Sequence, residues 1–215
     1  SADGPTAGLN ASQRRALAAA TSRSLTLVQG PPGTGKTAVA IRILTYWVRT
    51  RQLSGGRDMS LLACSDSNIA VDNLVSGLAK VGIRVVRLGR PEQTRPELLQ
   101  FATSSIVQQA LRDQNADMMP PHQQKQLKHD ALMRALGSAQ VICATCVGAG
   151  SGQLDKRRFA GVLVDEASQA TEIACVVPLL RGCQQLVMVG DHCQLPPTIA
   201  SEDAKLEGLS LSLFE

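Results

Sequence analysis

Three short stretches carry side chains whose types and spacing suit phosphate chemistry. Gly30-Pro31-Pro32-Gly33-Thr34-Gly35-Lys36-Thr37 fits G-x-x-x-x-G-K-[ST] at every defined position. Glycines there let the backbone turn its N–H groups inward around phosphate oxygens, and the helix that follows adds partial positive charge. Lys36 is placed to reach the β- and γ-phosphates and the Thr37 hydroxyl to ligate Mg²⁺. This loop binds a nucleoside triphosphate. Asp165-Glu166 directly follows the apolar run Val162-Leu163-Val164. Asp165 suits hydrated Mg²⁺, and Glu166 suits a water that must be oriented and deprotonated. An Asp-Glu pair alone also suits a helix N-terminus, but a buried strand ahead of it and a phosphate loop upstream favour the catalytic reading. The third stretch, Val187-Met188-Val189-Gly190-Asp191, repeats the device and brings Gln194 to where a γ-phosphate can be sensed. His192 and Cys193 read as solvent-facing loop residues, and Pro196-Pro197 makes the exit rigid.

The elements that must position these residues alternate between apolar runs and amphipathic segments. Leu25-Thr26-Leu27-Val28 reads as a buried strand entering the phosphate loop. A helix leaves the loop with Ala38, Ile41, Leu44, Tyr46 and Val48 on its apolar side and stops before Ser54-Gly55-Gly56. Ser60 to Cys64 is the next strand, and Ser65-Asp66-Ser67-Asn68 is cap chemistry for a helix with Ile69, Val71, Leu74, Val75 and Leu78 inward. Gly82 ends that helix before a short strand over Ile83 to Leu88. Further strands are expected at Val141–Ala144, Gly161–Val164 and Gln185–Val189, none with polar alternation, as parallel strands covered on both faces require. Right-handed βαβ crossovers then give a doubly wound, mostly parallel α/β sheet with ligands at its carboxyl ends. Residues 96–137, rich in glutamine, read as an inserted helical hairpin broken at Met118-Met119-Pro120-Pro121. Residues 1–8 read as a lead-in; residues 9–215 form the domain.

At 215 residues the chain suits one large domain. Only 2% of residues are aromatic against 44% hydrophobic, so the core is aliphatic and few rings are available to stack on bases. A net charge of +4 permits a nucleic-acid partner without demanding one. No apolar run reaches membrane-spanning length, and the six cysteines sit mostly in apolar runs, which implies reduced thiols inside a cell, in cytoplasm or nucleus. Cys143-x-x-Cys146 lacks a second pair to close a zinc site. The four arginines between positions 84 and 95 read as a solvated rim in preference to a phosphate patch. Asn10 and Gln13 suit either a helix cap or a purine edge.

The set Asn10-x-x-Gln13, Gly30–Thr37, Ser67-Asn68-Ile69-Ala70-Val71-Asp72, Ala144-Thr145-Cys146, Asp165-Glu166-Ala167-x-Gln169 and Gly190-Asp191-His192-Cys193-Gln194-Leu195 resembles the ordered motifs of superfamily 1 helicases of the up-frameshift type. The stretch Gly208 to Glu215 resembles the same family, and the likeness covers nearly all of residues 9–215. It implies a first RecA-like P-loop NTPase domain of a 5′-to-3′ helicase acting on single-stranded RNA or DNA with Mg-ATP. By that resemblance Gln13 would read the adenine with support from Asn10. Lys36, Asp165, Glu166 and Gln194 would serve hydrolysis, and Ser67, Asn68, Thr145 and Cys146 would lie along the strand. Asp66 stands where the family often has proline. The second RecA-like domain, with its arginine fingers, is not in this sequence, and neither is the small barrel that often precedes the first motif. A P-loop ATPase switch that binds protein partners without translocating is the alternative; strand-stimulated turnover separates the two.

Overall fold

The computed structural model describes residues 6–53 and 60–215. Asn10 caps the first helix, α1 (Ala11–Ser22), which leads into β1 (Leu25–Gln29) and, after the phosphate loop, α2 (Lys36–Leu53). The expected stop at Ser54-Gly55-Gly56 and most of the expected lead-in lie outside the described residues. β2 (Leu61–Ser65), α3 (Asn68–Lys80) and β3 (Val85–Arg87) follow. Short 3-10 turns at Pro91–Gln93 and Pro96–Phe101 then lead to α4 (Thr103–Asp113) and α5 (Pro121–Ser138), which pack on each other. The chain closes with β4 (Val141–Thr145), β5 (Gly161–Asp165), α6 (Glu172–Leu179), β6 (Gln185–Gly190) and α7 (Glu202–Leu206).

All six strands run parallel in the order β1-β6-β5-β2-β4-β3. The central strands β2 and β5 are buried at every residue because helices cover both faces, which is why their sequences lack polar alternation. Odd and even positions feed two separate cores. Leu61, Ala63, Cys143 and Leu163 pack beneath α1, α2 and α3. Leu62, Cys64, Ile142, Val162 and Val164 pack on the other face with Leu136, Phe159 and Cys175. The same division parts Cys143 from Cys146, which lie in different cores and cannot share a metal.

Three expectations need correction. β1 is an edge strand among the described residues, so Leu25 and Leu27 are 54% and 52% exposed instead of buried. On α2, Leu44 and Val48 are buried as expected and Ile41 and Tyr46 pack half-buried on the same core, but Ala38 is exposed and the most buried face also takes in Val39, Ala40, Ile43 and Trp47. The largest departure is Arg87. Arg84 and Arg90 are exposed as a rim should be, but Arg87 is fully buried. Its Nε donates to Asp72 of α3 at 3.2 Å, Nη1 to the Leu88 carbonyl at 3.0 Å, and Nη2 to Asn68 Oδ1 at 2.8 Å and the Gln93 carbonyl at 3.3 Å. Desolvating a guanidinium is tolerable only when its donors are matched in this way. Asp72, 2% exposed, also accepts from the Arg95 backbone N–H at 2.8 Å.

Asp72→Ala would leave the Arg87 guanidinium buried without its counter-charge. Urea unfolding should show a loss of about 3–5 kcal/mol, the usual cost of breaking a buried pair from one side. A loss below about 1 kcal/mol, typical of surface pairs, would contradict the burial of this pair.

Candidate functional site

Because the strands are parallel, their carboxyl ends share one edge, and the three phosphate-chemistry stretches leave from there. Gly33 and Gly35 take φ of +74° and +81°, values that L side chains rarely adopt. The loop between them is braced from three sides. The Thr34 hydroxyl donates to the Pro31 carbonyl at 2.7 Å, and the Gly30 N–H donates to the Gly190 carbonyl at the end of β6 at 3.2 Å. Gln13 Nε2 donates to the Thr34 carbonyl at 3.0 Å. Gln13 also completes a capping box: its N–H donates to Asn10 Oδ1 at 2.9 Å and its Oε1 accepts from the Asn10 N–H at 3.0 Å. Of the two readings of this pair, the geometry shows the helix cap. Asn10 is the cap, and Gln13 joins that cap to the phosphate loop. A cavity of about 390 Å³ opens beside them, lined by Asn10, Gln13, Gly30, Pro31, Thr34 and Lys36. Lys36 and Thr37 open α2, and Pro32 is exposed at the loop's outer side.

Asp165 ends β5 and is 1% exposed. Burial pushes its carboxyl up to about 6, aided by the Glu166 charge, while the Thr37 hydroxyl and the Lys36 charge pull the other way. Those influences place Thr37, Lys36, Asp165 and Glu166 around one point. Glu166 adopts φ +53°, ψ +39°, left-handed backbone that costs a non-glycine residue about 1–3 kcal/mol. Its Oε2 is buried without a hydrogen-bond partner. Backbone strain and an orphaned carboxylate oxygen at one residue mark a group held for a ligand. A hydroxyl and two carboxylates make an all-oxygen donor set, which suits a hard cation such as Mg²⁺ and disfavours soft metals.

At the end of β6, Asp191 is 4% exposed and accepts from Gln194 Nε2 at 2.7 Å and from the Cys193 N–H at 3.2 Å. The Gln194 amide holds this carboxyl below the ordinary carboxylate range. The Asp191 N–H donates to Ser168 Oγ at 3.1 Å, which ties the ends of β5 and β6 together. His192 and Cys193 face solvent, as expected. They approach Asp191 closely enough to suggest a metal, but both Asp191 oxygens already accept hydrogen bonds.

The residues expected along a strand lie beyond β5, where β2 runs into α3 and where β4 ends. Ser67 caps α3 by accepting from the Ala70 N–H at 3.2 Å. Asn68 is oriented by Arg87, which takes its Oδ1 and leaves its NH₂ as the remaining donor. Thr145 Oγ1 accepts from the Gly148 N–H at 3.0 Å. Cys146 is the correction: the whole residue is buried, its side chain meets Cys175 and its N–H donates to the Ser65 carbonyl at 2.9 Å, so it offers no group to an outside ligand. Sequence reading missed Ser65. It is fully buried, its hydroxyl has no partner, and the register sets it opposite both Asp165 and Thr145. A serine closing a run of buried aliphatic strand residues was the available signal.

Comparison with known proteins adds the following. Residues 8–136 and 121–202 match the AAA domain family. The chain is 39% identical to "Regulator of nonsense transcripts 1 homolog" of Drosophila melanogaster, a match over 96% of this chain and 18% of that protein. It is 38% identical to "ATP-dependent helicase upf1" of Schizosaccharomyces pombe, over 96% of this chain and 24% of the relative. The chain thus spans about a fifth of the length of these relatives. Among solved structures, the UvsW helicase from bacteriophage T4 superposes with a TM-score of 0.53 at 11% identity, over 84% of this chain and 51% of that one. At that identity the likeness concerns the fold, a RecA-like α/β core.

Asp165 generates a stability prediction whose sign follows from its raised pKa. The folded state holds this proton more tightly than the unfolded chain does. Its contribution is therefore fully present below about pH 4 and is lost as pH rises through about 6. At neutral pH the ionised carboxyl then costs the ligand-free domain on the order of 2–3 kcal/mol. Asp165→Asn should accordingly raise the melting temperature of the ligand-free domain at pH 7 by several degrees, with the gain shrinking towards pH 4. A variant that melts lower than the parent at pH 7 would refute this.

Proposed function

The chain belongs to the AAA domain family, and from that premise we propose that it is the ATP-binding first motor domain of a 5′-to-3′ helicase, coupling Mg-ATP hydrolysis to movement along single-stranded RNA or DNA. The observation that carries this reading is Glu166, strained and with an orphaned buried oxygen, beside Asp165, Thr37 and Lys36. The similarity to "ATP-dependent helicase upf1" supports it.

In this mechanism the loop N–H groups from Gly33 to Thr37 cradle the triphosphate, and Lys36 neutralises its β- and γ-oxygens. The base lies in the cavity beside Gln13, whose side chain reports on the loop through Thr34. Thr37 and Asp165 would hold Mg²⁺, which supplies charge neutralisation on the phosphate oxygens. Glu166 orients the attacking water and accepts its proton. Gln194, held by Asp191, responds to the γ-phosphate and its loss. Ser67, Asn68 and Thr145 contact phosphate and sugar, positions that fix register without reading sequence. Such a motor works inside the cell, in cytoplasm or nucleus.

Charge that develops on the transferred phosphoryl needs more than this wall of the cleft. Among the described residues no arginine lines the cavity beside the loop. In the proposed motor a second RecA-like domain supplies arginine fingers, worth about 10³–10⁵ in rate.

Lys36→Ala should weaken Mg-ATP binding roughly 10- to 150-fold by calorimetry, as befits a charge-assisted contact of about 1.5–3 kcal/mol; unchanged affinity would sink the nucleotide assignment. Residues 1–215 alone should bind nucleotide yet turn it over at background rate. Joined to a second RecA-like domain they should show strand-stimulated hydrolysis, which Glu166→Gln abolishes while sparing binding. Strand-stimulated turnover by the 215-residue chain at the rate of the longer protein would overturn the two-domain mechanism.

A further inference from the structure

Ser65 closes β2, a strand otherwise built from Leu61, Leu62, Ala63 and Cys64, and it is fully buried. The ordinary duties of a serine at a strand-to-helix junction are not open to it. The cap of α3 is Ser67, which accepts from the Ala70 N–H at 3.2 Å. Solvent does not reach the Ser65 hydroxyl, and no hydrogen-bond partner meets it among the described residues. A buried hydroxyl without a partner is uncommon, and it costs stability that an alanine would not cost.

The ladder fixes where that hydroxyl can turn. Ser65 lies opposite Asp165 on β5 and opposite Thr145 on β4, and its carbonyl accepts from the Cys146 N–H at 2.9 Å. Strand partners stand about 4.8 Å apart with their side chains on the same face. Here that face carries Ala63 and Leu163 and packs beneath α2, the helix in whose first turn Thr37 sits. A hydroxyl rotating between its staggered positions has these two neighbours to choose from. Thr145 Oγ1 is already engaged, accepting from the Gly148 N–H at 3.0 Å. Asp165 is 1% exposed, and its carboxyl meets the Glu166 N–H, 3.1 Å from Oδ1, and the Thr37 hydroxyl. A carboxylate that ionises out of reach of water needs donors, and bonds to a charged acceptor are the stronger kind. When Thr37 turns to Mg²⁺ in the mechanism above, Asp165 loses one of its two donors. Ser65 is the buried hydroxyl in register to replace it. Glu166 Oε2, another unsatisfied acceptor at this edge, lies one residue beyond the last paired position of the ladder.

We propose that Ser65 is a positioning residue of the metal site: in the Mg²⁺-loaded domain its hydroxyl donates to the Asp165 carboxylate and holds it towards the ion. The proposal rests on the Mg²⁺ reading of Thr37 and Asp165 given above, and it adds to that site a residue from a strand outside the phosphate loop and the acid pair. Ser65 touches neither nucleotide nor metal and acts through Asp165. Partners that stand behind a metal ligand commonly contribute about 10–100-fold to metal affinity.

The test is a calorimetric titration of ATP into the 215-residue chain, once in excess Mg²⁺ and once in EDTA. The ratio of the two affinities measures the metal's share of binding. Ser65→Ala should keep the affinity in EDTA and lower the ratio about tenfold. Ser65→Thr, which retains the hydroxyl, should keep the parent's ratio. Melted without ligand, Ser65→Ala should gain about 2–6 °C, because it sheds a buried hydroxyl that has no partner there. A serine with a structural role alone would move the melting temperature and leave the ratio unchanged. A Ser65→Ala chain with the parent's ratio, one that melts lower than the parent, or a Ser65→Thr chain as impaired as Ser65→Ala would each overturn the proposal. A parent chain that binds ATP equally with and without Mg²⁺ would remove the metal reading and the proposal together. A parent that responds to Mg²⁺ beside a Ser65→Ala chain that responds equally would remove the role of Ser65 alone.

Discussion

Everything in this domain depends on the parallel register of its sheet. Because all six strands run one way, their carboxyl ends fall on a single edge, and each end delivers one chemical tool there. β1 brings the loop, β5 the two acids, β6 Asp191 and Gln194, and β2 and β4 the groups proposed to face the strand. Register makes these neighbours. Gln29 lies opposite Gly190, and Ser65 lies opposite both Asp165 and Thr145. Ser65 is thus the point at which the nucleotide half and the strand half of the edge touch. A shift of β2 by one residue would exchange its two cores and break that contact.

The two halves of the edge treat polarity differently. On the β3 side the buried charge is satisfied: Arg87 meets Asp72, Asn68 and two carbonyls. On the β5 side polarity is left open, with Asp165 driven up by burial and Glu166 Oε2 without a partner. A fully matched network fixes geometry, while an unmatched one stores free energy that a ligand releases on binding. The domain has placed its rigid network behind Asn68 and its open one around the proposed metal. Glu166 shows the cost most plainly, since no intrinsic preference of a glutamate favours left-handed backbone.

The sequence made legible whatever is encoded in neighbouring residues. The phosphate loop, Asp165-Glu166 and the strand runs were all readable, because turn chemistry and apolar runs are local. What escaped depends on partners distant in sequence. Arg87 read as rim because nothing near it announces Asp72, fifteen residues earlier on α3. Cys146 read as a strand contact because a buried thiol and an exposed one look alike in a motif. β1 read as buried because its composition matches that of central strands; only the strand order shows it at an edge. Gln13 had two candidate roles, and the loop carbonyl it also meets is twenty-one residues away.

The pairing of β1 with β6 has a consequence for biosynthesis. A ribosome emits a chain from its amino end, so β1 emerges some 156 residues ahead of its ladder partner, Gln185–Gly190. At a typical elongation rate of about 5–20 residues per second, the interval is roughly 8–30 s. Throughout it the nascent phosphate-loop strand offers unpaired N–H and C=O groups and the apolar side chains of Leu25 and Leu27. Strand pairing of this kind joins residues far apart in sequence, and such long-range closure folds slowly. The stretch most needed for nucleotide binding is therefore the one longest exposed to misassociation during translation, and a chaperone that shields emerging apolar strands would act on it first.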